Sequence, residues 1–449
     1  MSETQTPWYR ELNRYHWFVL IVAALGWLFD CLDQQLFILA RQPAMKDLLQ
    51  ISDPAELKAA VDAYSGYATS IFLIGWASGG LMFGVMGDRI GRAKTMMITI
   101  LIYSMFTGLS ATSVTFWDFA LYRFLTGLGV GGEFAVGVAL VAEVMPERAR
   151  PYALSLLQAL SAIGNVAAAL LNMAMGSLVE RGLVDSVWRP LFLVGALPAL
   201  LALVIRRRLK EPDRWQNVSH EGAAERQLGS YRALFGNARW RKHALIGLGL
   251  AFSGVVGLWG VGFFTMDLVG NVLTKRFAAA GLAENEVVGR VAFWKGMTSL
   301  MINGGAFLGM YSFGIVTQRI GRKPAFAVSF LAAMFSTAAV FAWLNEFWQI
   351  FVLVPIMGFC QLSLFAGYAI YFPELFPTHL RSTGTSFCYN VGRFVAAIGP
   401  ALLALLTTHV YADTDEPLRY AGLTMCGIFL VGLLVLPLAP ETRGRPLPE

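Results

Sequence analysis

Residues 87–94 read Gly-Asp-Arg-Ile-Gly-Arg-Ala-Lys, and residues 317–323 read Thr-Gln-Arg-Ile-Gly-Arg-Lys. The stretches match at an offset of 230, about half of the 449-residue chain, and each lies between two long apolar runs. A second pair repeats the spacing: Glu143-Val-Met-Pro146 followed by Arg150 answers Glu374-Leu-Phe-Pro377 followed by Arg381, shifted by 231. Two halves with the same charged punctuation in the same places are most simply a duplicated membrane bundle.

Composition supports a bilayer setting. The chain is 56% hydrophobic and 14% charged, with mean hydropathy +0.57. A soluble chain of this length cannot hide that much apolar surface, whereas helices facing lipid need not. Apolar runs of the roughly 20 residues needed to span a bilayer fall near 17–42, 65–86, 95–113, 117–145, 152–178 and 188–205. They resume near 244–270, 292–316, 324–344, 347–372, 383–408 and 419–438. These readings predict an all-α integral membrane protein of twelve spans in two pseudo-symmetric six-helix bundles, 1–205 and 244–449, joined by a charged cytoplasmic linker, 206–243. The first run is too long for a signal-peptide core and no small-residue cleavage pattern follows it, so it reads as an uncleaved anchor. Cys31, Cys360, Cys388 and Cys426 fall inside predicted spans without pairing or metal-ligand spacing, and read as small apolar residues.

The net charge of +6 does not indicate a nucleic-acid partner, because its distribution follows topology. With a cytoplasmic N-terminus, the inner segments carry 23 Lys and Arg residues and the outer loops 10. This excess orients both termini inside the cell, in the plasma (inner) membrane.

The 87–94 loop has a physical reading of its own. Gly87 and Gly91 permit a tight turn, and Asp88 can interact with a helix-end dipole and with nearby arginines. Arg89 and Arg92 stand at the cytoplasmic rim and can pair with Glu143 or Glu374. Arg150 and Arg381 follow the two Glu-x-x-Pro sequences. Arg319 and Arg322 belong to the second copy, where Gln318 replaces the acid, so the C-terminal copy is expected to be the weaker one.

Twelve spans in two halves, with Gly-Asp-Arg-x-Gly-Arg after the second, resemble the major facilitator superfamily over nearly the whole chain. Several stretches resemble its sugar and organic-acid proton symporters, and the sialic acid transporter branch in particular. These are Arg123-Phe-Leu-Thr-Gly127-Leu-Gly129-Val-Gly131-Gly132-Glu133, the opening Pro7-Trp-Tyr-Arg-Glu-Leu-Asn-Arg14, and Trp188-Arg-Pro-Leu-Phe-Leu-Val-Gly195. The resemblance implies that the charged loops form an inner gate holding the cytoplasmic side shut.

Charged residues inside spans are expensive and mark function. Asp30 and Asp33 share one face of the first helix, three residues apart. They match the acids of an Asp-Gly-Phe-Asp motif in aromatic-acid symporters, although Cys31 stands where that motif has glycine. Helix rise puts Asp30, Asp33, Glu133 and Arg393 about 18–24 Å above the inner end of their spans, and Arg123 about 9 Å below the outer end of its own. That is mid-depth or just outside it, where such transporters bind substrate. The resemblance implies that Asp33, with Arg123 as partner, couples protons, with Asp30 or Glu133 as alternatives. Arg393 resembles the anion-contacting arginine of organic anion transporters, its planar fork suiting a carboxylate. Asn165, Asn172, Trp259, Asn303, Gln361, Tyr368 and Asn390 are candidates to line the rest of the cavity, each equally readable as helix–helix glue. The fourth-span glycines read as a packing seam.

The expected function is proton-coupled uptake of a small organic anion by alternating access: a sialic acid, a sugar acid, or an aromatic or other monocarboxylate. The expected partners are that anion, protons and the lipid bilayer, with the proton gradient as energy source, no cofactor or metal, and a monomeric state. A neutral-sugar symporter or facilitator is kept open by Pro440-Glu441-Thr-Arg-Gly-Arg445, and a drug/proton antiporter is a weaker alternative. An enzyme is disfavoured because all five histidines fall in loops or at span ends. A non-transporting receptor on a transporter fold is the remaining rival.

Overall fold

The structure, a computed structural model, describes residues 7–180, 186–220, 227–282, 284–396, 402–403 and 405–449. The described residues form helices and connecting turns, without strands. They divide into two compact units. The first comprises Met1–Arg241 with Phe372–Val391 and Pro446–Glu449; the second comprises Lys242–Tyr371 and Gly392–Arg445.

The chain begins with α1 (Arg14–Leu48), α2 (Pro54–Ile90), α3 (Arg92–Ser110), α4 (Phe116–Val144) and α5 (Arg150–Glu180). The sixth apolar run is broken into α6 (Trp188–Val194) and α7 (Ala199–Arg208), and the linker holds α8 (Asp213–His220) and α9 (Tyr231–Gly236). Then come α10 (Ala238–Val256), α11 (Thr265–Ala279), α12 (Glu284–Ile320), α13 (Arg322–Trp343), α14 (Phe347–Leu375) and α15 (Arg381–Ala396). The last run is again two pieces, α16 (Pro417–Met425) and α17 (Ile428–Val435). Among the described residues, ten helical stretches are long and apolar enough to cross a membrane. Part of the predicted eleventh span, residues 397–401 and 404, lies outside the described residues. The stretches between the first two apolar runs, near 43–63, and between the seventh and eighth, near 271–291, are largely helical, because α1, α2, α11 and α12 run past the ends of their apolar cores.

Local chemistry sets several boundaries. Asn13 and His16 form a reciprocal capping box at the start of α1, and Thr115 and Asp118 do the same for α4, satisfying N–H groups the helix leaves open. Gly91 (φ 113°) and Gly321 (φ 96°) end α2 and α12 in a conformation that side chains resist, so the chain breaks there and restarts as α3 and α13.

Glycines set the closest helix approaches. In the first unit a Cβ on Gly75 or Gly79 of α2 runs into the carbonyls of Phe124 and Leu128, and one on Gly127 or Gly131 of α4 runs into those of Phe72 and Trp76. The second unit repeats the seam: Gly305 and Gly309 of α12 abut the carbonyls of Pro355 and Phe359, and Gly358 of α14 that of Ile302. With little hydrophobic drive between helices in lipid, such backbone contact supplies the attraction. Large apolar side chains such as Trp117, Leu200, Phe335 and Leu434 stand exposed on the outer faces.

Candidate functional site

A buried charged cluster occupies the middle of the first unit. The Arg123 guanidinium, fully buried on α4, lies 3.8 Å from Asp33 of α1. Its Nε donates to Ser110 Oγ (3.1 Å), and Nη2 donates to Ser110 Oγ (2.7 Å) and Thr126 Oγ1 (3.0 Å). The Phe37, Phe119 and Phe192 rings surround the cation at 5.6, 5.9 and 4.6 Å, the arrangement that favours a cation away from water. Asp33 Oδ1 accepts from Thr107 Oγ1 at 2.6 Å. Lower on the same helices, Glu133 Oε2 accepts from Thr99 Oγ1 at 3.0 Å, and Glu133 Oε1 faces Gly26, where a Cβ would collide with it. Asp30 is buried on α1 between these levels. The structure therefore brings Asp33 and Arg123 together and keeps Glu133 apart from that pair. Asn165 of α5 is half-buried.

The cytoplasmic end of the same unit holds a second network. Glu143 Oε1 accepts from Arg92 Nη2 (2.9 Å) and Arg381 Nη1 (2.6 Å), while Oε2 accepts from Arg92 Nε (3.1 Å). Asp88 pairs with Arg92 at 3.0 Å and accepts from the backbone N–H groups of Ser382 (3.1 Å) and Thr383 (2.8 Å) and from Thr383 Oγ1 (2.6 Å). Arg92 also donates to the Gly87 and Thr378 carbonyls, and Arg381 to those of Pro373 and Pro448. Two acids and two arginines, all buried, thus neutralise one another with nearly every polar atom engaged, the condition under which buried charge is tolerated. Arg150 donates Nε to the Ala142 carbonyl at 2.8 Å and lies in electrostatic range of Glu374.

Arg89 departs from its expected pairing with an acid. It is exposed, and its Nε donates to the Leu228 carbonyl at 3.1 Å. The reason is the linker, which folds against this loop. Trp215 Nε1 donates to the Asp88 carbonyl (2.8 Å), Tyr231 Oη to the Leu81 carbonyl (2.9 Å), and Gly229 N to the His379 carbonyl (3.0 Å).

In the second unit, Arg322 donates Nη1 to the Thr317 carbonyl (3.3 Å), while Arg319 is exposed and its carbonyl accepts from Arg443 (2.8 Å). Gln361 donates to Thr337 Oγ1 at 2.6 Å, and Tyr368 Oη to the Leu250 carbonyl at 2.7 Å. Asn303 donates to the Ser299 carbonyl at 2.9 Å, and Trp259 is half-buried in the π-helical turn Gly257–Val261. Arg393 is half-buried on α15. Asn390 packs within the first unit instead, donating to the Ser386 carbonyl at 3.1 Å beside Gly80.

Sequence reasoning missed two features. One is the polar face of α3, Thr99, Tyr103, Thr107 and Ser110, whose four- and three-residue spacing in an apolar span was its signal. The other is a pair of acids that cap helices. Glu211 accepts from the N–H groups of Ala93 (3.1 Å) and Lys94 (3.0 Å) at the start of α3; Glu441 accepts from those of Arg322 (2.9 Å) and Lys323 (3.0 Å) at the start of α13. They too stand 230 residues apart. Burial pushes the Glu441 carboxyl up, but the N–H groups of Arg322, Arg443 and Lys323 and the Arg322 charge outweigh it, holding the acid below its ordinary value.

Comparison with known proteins decides the family. Residues 32–242 match the family model for sugar (and other) transporters, and residues 294–449 match that of the Major Facilitator Superfamily. The chain belongs to the major facilitator superfamily. As a member it is a multi-pass membrane protein with the twelve-helix, all-α fold of that superfamily, whose members are transporters. It is 26% identical to the niacin transporter NiaP of Acinetobacter baylyi, covering 97% of this chain and 96% of that protein. It is also 26% identical to the sialic acid transporter NanX of Escherichia coli, covering 90% of each. The solved structure of the proton:xylose symporter XylE bound to 6-bromo-6-deoxy-D-glucose superposes with TM-score 0.74 at 17% identity, covering 96% of this chain and 98% of that one.

Proposed function

We propose that this major facilitator protein is a proton-coupled symporter that takes up a small organic anion by alternating access. The class of anion is a sialic acid, another sugar acid, or an aromatic or simple monocarboxylate. One observation carries the reading: Asp33 and Arg123 are paired and fully buried at mid-span, enclosed by aromatic rings and hydroxyls. A buried ion pair is a poor way to stabilise a bundle, since an apolar replacement usually does as well or better. It is well suited to a switch, because protonating Asp33 removes the charge that holds Arg123. The neutral acid permits closure around substrate, and the ionised acid holds the pair. Asp30 and Glu133, each buried in the first unit, are the alternative carriers of the proton.

Arg393 is assigned to the substrate carboxylate, with Asn165, Trp259, Asn303, Gln361, Tyr368 and Asn390 as the polar and aromatic lining. Gly87, Asp88, Gly91, Arg92, Glu143, Arg150, Glu374 and Arg381, with Arg89, Arg319 and Arg322, are assigned to the cytoplasmic gate. The protein works in the plasma membrane as a monomer with both termini inside, its halves 1–205 and 244–449 joined by the linker 206–243. Its energy source is the proton gradient and it needs no cofactor. The niacin and sialic acid relatives support a carboxylate substrate, and the XylE relationship supports the neutral-sugar alternative.

Purified protein is first screened by thermal shift against sugar acids, aromatic acids and neutral sugars, since a ligand that binds the folded state raises Tm. The stabilising compound is then used in proteoliposomes. Asp33→Asn, which mimics the protonated acid, is expected to keep counterflow and lose accumulation driven by an imposed pH gradient. Gradient-driven accumulation by this variant moves the coupling role elsewhere, and a response to neutral sugars alone sinks the anion reading.

A further inference from the structure

The Asp33–Arg123 pair is held open, and α3 is what holds it. An arginine and a carboxylate in direct contact meet at about 2.7–2.9 Å, whereas Arg123 Nη1 stops 3.8 Å from Asp33 Oδ1. Neither Nη1 nor the other oxygen, Asp33 Oδ2, has a hydrogen-bond partner among the described residues. The rest of the guanidinium is drawn the other way. Nε and Nη2 both donate to Ser110 Oγ, at 3.1 and 2.7 Å, and Nη2 also donates to Thr126 Oγ1 at 3.0 Å. Ser110 gives its own proton to the Phe106 carbonyl one turn back, at 2.8 Å, which leaves both of its lone pairs to the arginine.

The acid is held by the same helix. Thr107 precedes Ser110 by three residues and shares its buried face of α3. Its Oγ1 donates to Asp33 Oδ1 at 2.6 Å, the oxygen that Arg123 approaches. Gly195, which closes α6, leaves room for this contact: a Cβ there would stand 2.4 Å from Thr107 Cγ2 and 3.4 Å from Asp33 Oδ1. Two hydroxyls of one helix therefore take one member of the pair each. A donor to a carboxylate favours the ionised acid, and so does a nearby cation, less strongly the farther it is kept. The two hydroxyls thus act in opposite directions on the same proton.

We infer that Thr107 and Ser110 are positioning residues that set the pH at which Asp33 takes up its proton. Ser110 does so by keeping Arg123 from closing on the acid, and Thr107 by supporting the acid's charge. A pair in full contact resists protonation more strongly, and an acid without its arginine resists it less. At 3.8 Å the pair stands between these limits. The other charged and titratable groups on the elements around Asp33 are Asp30, Cys31 and Arg41 of α1, Tyr103 of α3 and Glu133 of α4. Arg41 is engaged with Thr69 Oγ1 at 2.7 Å, and Arg189 of α6 with Asp47. Residues 64–87 of α2 and 151–179 of α5 include no charged side chain, and the arginines of α7 lie at its far end.

The inference rests on Asp33 as the proton carrier, and its test needs no substrate. Protein in liposomes is titrated with pH while the infrared band of protonated carboxyl groups is followed, and Asp33→Asn identifies the part that belongs to Asp33. Ser110→Ala is expected to move the Asp33 midpoint to lower pH and Thr107→Val to higher pH, each by about one pH unit, a tenfold change in proton affinity. Thr126→Val, which removes the arginine's other hydroxyl acceptor, is expected to move it to lower pH by less, and it replaces Ser110→Ala if that variant does not fold. Hydroxyls with a purely structural role predict a lower Tm and an unmoved midpoint. Unmoved midpoints in folded variants, or shifts of the Ser110 and Thr107 variants in the same direction, overturn the inference and leave the coupling reading standing. If no band belonging to Asp33 titrates in the unaltered protein, Asp33 is not the proton carrier and the two readings fall together.

Discussion

Replacing Asp88 by Asn tests the cytoplasmic network at its most connected acid. Asp88 receives three hydrogen bonds, from Ser382 N, Thr383 N and Thr383 Oγ1, and pairs with Arg92 at 3.0 Å, all without exposure to water. Asparagine keeps one acceptor oxygen but turns an N–H₂ group toward donors, so at least one hydrogen bond is lost and Arg92 loses one of its two anionic partners. Hydrogen bonds to charged groups are worth about 1.5–3 kcal/mol, and breaking a buried pair from one side costs about 3–5 kcal/mol. Glu143 still neutralises Arg92, so the lower figure applies. About 3 kcal/mol corresponds to a shift of roughly 100-fold in the balance between closed and open cytoplasmic ends. The assay is the labelling rate of single cysteines placed on each face, in a background lacking the four native cysteines. Asp88→Asn is expected to speed labelling from the cytoplasmic side, slow it from the outside, and slow transport while ligand still stabilises the protein. Unchanged labelling of both faces removes Asp88 from the gate.

Two further outcomes follow from other parts of the molecule. Arg393→Lys keeps the charge but loses the planar fork, so affinity for an acidic ligand is expected to fall by about 1.5–3 kcal/mol, measured by calorimetry; an unchanged Kd detaches Arg393 from the substrate. Glu441 has a folded-state pKa below its unfolded value, so the stability it contributes is present above the unfolded carboxylate range and is lost as pH falls through the folded value; Glu441→Gln is expected to flatten the acid limb of the Tm profile, and an unaltered profile refutes the capping role.

Much of the organisation was legible because membrane proteins write charge sparingly. The 230-residue offset that joins Gly91 to Gly321 also joins glycines of the two seams, Gly75 with Gly305 and Gly79 with Gly309. It joins Arg189, which donates to the Ala111 and Ser113 carbonyls, with Arg419, which donates to those of Phe341 and Leu344. The pairing of Arg123 with Asp33 was expected from two signals together: each is a charge in an apolar span at similar estimated depth, and the resemblance to proton-driven sugar symporters implies it. Arg89 was misread because its partner is the Leu228 carbonyl, and backbone acceptors leave no trace in residue identity. The linker's placement was illegible for the same reason: Trp215, Gly229 and Tyr231 all bind through main-chain carbonyls.

The sequence by itself determined that this protein is a duplicated helical bundle in a bilayer, which charges lie at its rim, and which lie at mid-depth. Those properties follow from hydropathy and helical rise, which are local and additive along the chain. Only the tertiary structure decided that Glu143 is shared between Arg92 and Arg381, that Glu211 and Glu441 cap helices distant in sequence, and that α3 lines both acid sites with hydroxyls. Those facts depend on the direction in which each side chain leaves its helix and on how closely glycine lets a neighbour approach. Both are set by three-dimensional packing, and neither is a property of any single stretch of chain.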